Sequence, residues 1–161
     1  MELLRNYKQL IVFNIIIFIT FCFIINSFSN FTNLNLIFYI FFHLTFIYTL
    51  FYYYHFTIYI IAFIYGIFLD IFLMNNIGIH LVSLLIMIPI YNLSKKYLYQ
   101  LSSNQISIFI MVLLILILSV ELLIAKFFFN IKFDNYYFLK IQLLSLIIFI
   151  PSIFIFNKLD K

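Results

Sequence analysis

The feature that most constrains this chain is a succession of apolar runs, each about as long as a membrane is thick, separated by short polar breaks. The runs cover approximately 10–28, 34–54, 56–74, 77–93, 106–125 and 136–156. A helix rises about 1.5 Å per residue, so roughly 20 apolar residues cross a hydrocarbon core of about 30 Å. The runs are continuous rather than alternating, which excludes the dyad pattern of a membrane β-barrel. Inside a bilayer only a helix satisfies its own backbone hydrogen bonds within one segment. The expectation is an all-α polytopic membrane protein with about six transmembrane helices, forming a single transmembrane domain over residues 1–161.

Composition closes the alternative. Hydrophobic residues make up 67% of the chain and charged residues 9%, against about 25% charged in a soluble domain. A water-soluble fold would lack its polar shell. The net charge of +4 is carried by cations at the ends of the runs, with no basic stripe to track phosphates, so a nucleic-acid partner is set aside and the bilayer is the expected surround. Cys22 is the single cysteine and forms neither an intrachain disulfide nor a cysteine metal site. A cleaved signal peptide is the rival reading of the first run. That run exceeds a typical signal core, and Asn26-Ser27-Phe28-Ser29-Asn30 offers no small-residue cleavage site; an uncleaved span is expected.

Orientation follows from Lys and Arg near the span ends. With a cytoplasmic N-terminus, Arg5, Lys8, Lys95, Lys96, Lys158 and Lys161 lie inside, and Lys126, Lys132 and Lys140 lie outside. Both termini are expected in the cytoplasm.

Polar residues within the runs each need a reason, because a charge in the bilayer interior costs several kcal/mol. Asp70 and Glu121 are the acids within spans, each about one turn from the outer end of its helix. His80 opens the fourth run and Lys126 closes the fifth on the same side. The expectation is one outer-leaflet polar cluster of Asp70, His80, Glu121 and Lys126, with Lys126 or His80 pairing an acid. The alternative is that each acid reaches water or headgroups separately. A metal site has no local HExxH-type spacing behind it, so no metal and no cofactor are expected. His43, in mid-span, reads as a helix-to-helix hydrogen-bond donor, as do Asn14 and Asn26; His55, among tyrosines, reads as interfacial. Pro89 and Pro151 loosen their helices locally.

The chain has two glycines, Gly66 and Gly78, and they bracket Asp70. Ala62, Gly66 and Asp70 recur every four residues and share one helix face. Ala62 and Gly66 are a small-xxx-small pair that admits another backbone at close range. Gly78 follows the Asn75-Asn76 turn, where a permissive backbone helps the chain reverse. Ala62, Gly66, Asp70 and Gly78 therefore mark a face for tight contact, either with a neighbouring helix of the same chain or with a partner.

The block Gly66-Ile67-Phe68-Leu69-Asp70, then Asn75-Asn76-Ile77-Gly78-Ile79-His80, resembles the signature of the bacterial rod shape-determining protein MreD family: glycine, aspartate four residues on, a turn, then Leu/Ile-Gly and often a basic residue, where His80 stands here. The polar break Phe31-Thr32-Asn33-Leu34, Glu121 in the fifth run and Pro151 in the last are also similar to that family. The proline usual before the second span is missing, and the loops lack tryptophan.

The resemblance implies a non-catalytic membrane scaffold of the cell-elongation machinery, maintaining rod shape and peptidoglycan synthesis. It implies direct binding of MreC, and an assembly shared with MreB, RodA and its penicillin-binding transpeptidase, in the bacterial inner membrane; a homodimer is compatible with it. The implied architecture resembles the substrate-binding subunit of energy-coupling-factor transporters. A vitamin-type substrate-binding subunit of a transporter is therefore the alternative, and it would present a pocket with several polar contacts among its outer loops. An enzyme is not expected. A lipoprotein signal peptidase needs two catalytic aspartates and a phosphatidyltransferase needs an aspartate-glycine cluster, and the runs contain Asp70 alone.

Overall fold

The structure is a computed structural model. It describes residues 11–12, 14–20, 22–23, 32–52, 54–74, 78–98, 100, 102–130 and 135–159. The polar start, Asn26, residues 29–31 of the first loop, the Asn75-Asn76 turn, Lys132 and Lys161 lie outside the described residues.

Among the described residues the chain is helical with no strand. A first helical stretch, α1, includes residues 14–20. It is followed by α2 (Thr32–Tyr52), α3 (Thr57–Leu69), a single π-helical turn (Asp70–Met74), α4 (Ile79–Leu98), α5 (Ser103–Phe128) and α6 (Asn135–Leu159). Three of these helices are long and apolar enough to cross a membrane, through Asn33–Phe51, Gln105–Phe128 and Asn135–Phe154; Thr57–Leu73 is a shorter apolar helix.

Local chemistry sets the ends. The Ser102 and Gln105 side chains form a reciprocal capping box at the start of α5, satisfying donors that the first turn leaves open. Asn130, just past α5, holds φ 54°, the left-handed conformation that asparagine tolerates at a helix end. Pro89 and Pro151 are exposed, and α4 and α6 continue through them.

Helix α2 is the hub. Residues 42–50 are buried without interruption, the pattern of a helix surrounded on every side. Phe42 meets Phe18 of α1 and Tyr65 of α3 at ring-centroid distances of 5.4 and 5.1 Å. Phe51 meets Tyr91 of α4 and Phe109 of α5, and α6 packs along the same helix. The outer helices keep apolar residues on their far sides, such as Ile60, Phe63 and Phe68 on α3 and Leu143, Ile147 and Ile150 on α6.

Helices α3 and α4 pack as a close hairpin, and Gly66 explains how close. A Cβ built on Gly66 would overlap the Leu81 Cα and lie 2.9 Å from the Leu81 amide nitrogen, so only a glycine fits against this backbone. Ala62, Gly66 and Asp70 are all buried. The face that the sequence left open between internal packing and a partner is thus turned inward, onto α4. Gly78 has φ +139°, a conformation that disfavours any residue with a Cβ.

Candidate functional site: a buried five-residue polar chain

The site begins at the π-helical turn. Asp70 closes α3 and opens that turn, and its carboxylate meets the start of α4. There the first turn of α4 presents backbone N–H groups with no partner inside the helix. The Asp70 carboxylate takes them: Oδ2 accepts from the Gly78 N–H at 2.7 Å and the Leu81 N–H at 3.2 Å, and Oδ1 accepts from the His80 N–H at 2.7 Å. An anion at a helix N-terminus also complements the helix dipole. His80 then turns its ring back, placing Nδ1 2.7 Å from Oδ1. Asp70 and His80 are 0% and 1% exposed.

From His80 the chain crosses to α2. His80 Nε2 lies 3.1 Å from the Tyr39 hydroxyl, and the Tyr39 hydroxyl contacts Glu121 Oε2 on α5. The other carboxylate oxygen, Oε1, lies 3.0 Å from His43 Nε2 and 2.5 Å from the Ser83 hydroxyl of α4. His43 Nδ1 faces the Tyr39 carbonyl oxygen at 2.9 Å. Because that oxygen only accepts, Nδ1 carries the hydrogen and donates. The order His43–Glu121–Tyr39–His80–Asp70 is a continuous hydrogen-bonded chain that draws on α2, α4, α5 and the π-helical turn after α3. Burial explains its closure, since a buried polar group without a partner costs about 1–3 kcal/mol.

The structure brings together three of the four residues expected in the outer polar cluster, Asp70, His80 and Glu121, and joins them through Tyr39. Lys126 stands apart. It is exposed at the end of α5, and the acids are met by His80, His43, Tyr39 and Ser83 instead. Glu121 and Lys126 are five residues apart on one helix, about 140° around its axis, so they cannot share a face. The reading in which each acid reaches water separately is also corrected, since both are enclosed by protein. His43 bridges helices as expected, and Asn14 approaches Thr49 across α1 and α2 at 3.5 Å. His55 is exposed and lies 3.1 Å from the Thr57 hydroxyl. The sequence reading missed Tyr39 and Ser83, and it did not pair His43 with Glu121. One signal was present: Tyr39 and His43 are four residues apart, hence on one face of α2.

No family model, curated protein or solved structure matches the chain. Chemically, the arrangement suits holding helices and sharing protons. Among the described residues no group of three or more His, Cys, Asp or Glu side chains is placed to hold a metal ion.

Proposed function

We propose that the chain is a non-catalytic membrane scaffold of the MreD type, with six spans in a bacterial inner membrane and both termini in the cytoplasm. In this reading it binds MreC directly and works in rod-shape maintenance alongside MreB, RodA and its penicillin-binding transpeptidase. One observation carries it. Gly66, Asp70, Gly78 and His80, the residues on which the resemblance rests, have separate and complementary tasks in one hairpin. Gly66 admits α4, Asp70 caps it, Gly78 makes the reversal and His80 ties the cap to α2. Motif members that all serve one local structure support reading the block as a fold signature.

The same observation weighs against the vitamin-binding alternative. Among the described residues, Asp70, His80, Tyr39, Glu121 and His43 are engaged with one another rather than open to a ligand. Depletion of the protein from its own cell is expected to round the cell, and the tagged protein is expected to co-purify with MreC in mild detergent. Failure of the wild-type protein to retain MreC, with rod shape unchanged on depletion, would refute the assignment. Because the Gly66 face packs inward, substitutions there test the fold; MreC binding is to be sought on the outward faces.

A further inference from the structure

The polar chain has a property that follows from counting its hydrogens. It has five members and four gaps: His43 Nε2 to Glu121, Glu121 to Tyr39, Tyr39 to His80 Nε2, and His80 Nδ1 to Asp70. Each gap is a hydrogen bond only if it contains one proton. His43 also keeps the Nδ1 hydrogen fixed by the Tyr39 carbonyl. Stripped of the four shared protons, the chain carries one negative charge on each of Glu121, Tyr39, His80 and Asp70, and none on His43. Four protons restore neutrality, wherever within its gap each one sits. Moving a proton from His80 Nε2 to the Tyr39 oxygen while the Tyr39 proton passes to Glu121 Oε2 leaves the total charge unchanged.

We propose that these five side chains titrate as one unit, forming a proton-shared latch that joins α2 and α5 to the α3–α4 hairpin and opens when a proton is lost. Loss of any one of the four leaves a net negative charge in a buried site and one gap with two facing acceptors. In strongly interacting groups of this kind each proton is lost in a macroscopic step that belongs to the whole set rather than to one residue. Few other titratable groups among the described residues lie on the elements packed against the chain. Helix α3 carries the buried Tyr65, Tyr137 of α6 is within electrostatic reach of Tyr39, Lys126 on α5 is exposed, and Cys22 beside α1 is half-buried. Ser83 adds a hydroxyl that reaches either Glu121 or the His80 carbonyl. The inference does not depend on the scaffold reading.

The test is ¹⁵N NMR of histidine-labelled protein in lipid nanodiscs across a pH series. In the wild type, His43 Nδ1 is expected to stay protonated wherever the protein is folded, and the Nε2 signals of His43 and His80 are expected to move together in one step. Amide exchange at the start of α4 is expected to rise at that same pH. Tyr39→Phe keeps the ring and removes the bridging oxygen, so the two histidines are expected to titrate in two separate steps. A bare Nδ1 on His43, or wild-type histidines that titrate at separate pH values, overturns the proposal. The wild-type result decides the matter even if the variant fails to fold.

Discussion

Replacing Asp70 by asparagine isolates the cap on α4 with almost no change in volume. The carboxylate takes three backbone N–H groups and faces the His80 ring nitrogen, all within 3.2 Å. An asparagine amide has one acceptor oxygen. If that oxygen keeps the His80 side, the amide NH₂ is turned toward the Gly78 and Leu81 N–H groups, donor against donor. Two N–H groups at the start of a helix then lose their partner at about 1–3 kcal/mol each. The lost charge at the helix terminus adds about 0.5–2 kcal/mol. Such terms overlap, and breaking one side of a buried pair typically destabilises by about 3–5 kcal/mol. Asp70→Asn is expected to fall in that range in reversible unfolding from mixed SDS micelles, followed by circular dichroism. Lys126→Met is the matched control, exposed and outside the chain, and is expected to stay within about 0.5 kcal/mol of wild type. An Asp70→Asn protein within 1 kcal/mol of wild type would show that the carboxylate is not what holds α4.

Gly66→Ala is expected to destabilise by about 1–3 kcal/mol in the same assay, because the added methyl meets Leu81 backbone that cannot step aside. Gly78→Ala has space, with Phe129 3.7 Å away, so its expected loss of about 1–3 kcal/mol comes from the positive φ alone; D-alanine placed there by semisynthesis is expected to restore most of it. Glu121→Gln retains an acceptor and a donor for His43 and Tyr39, so it is expected to fold, whereas Glu121→Leu strands His43 Nε2 and leaves Tyr39 with His80 alone, and is expected to cost about 3–5 kcal/mol.

The sequence made the helices legible because each run is long, continuous and bounded by polar residues. It made Asp70, Glu121 and His80 legible for the same physical reason, since polar groups are expensive among apolar ones. Gly66 and Gly78 stood out by rarity. Tyr39 did not, because the chain has 13 tyrosines and a phenol signals nothing until its neighbours are known. Pairing His43 with Glu121 required the rotation of α2 against α5, which one amphipathic period cannot supply when α2 is apolar on every side. Lys126 misled because it is near Glu121 in sequence and on the same side of the expected membrane, yet far around the helix.

The central position of α2 has a consequence for how the protein is made. Tyr39 and His43 emerge from the ribosome well before His80, and longer still before Glu121. During synthesis the hub helix carries two polar side chains whose partners do not yet exist, so its polar contacts are complete only once α5 has been made. A nascent chain stopped before Glu121 would hold His43 Nε2 without the carboxylate that meets it in the finished fold.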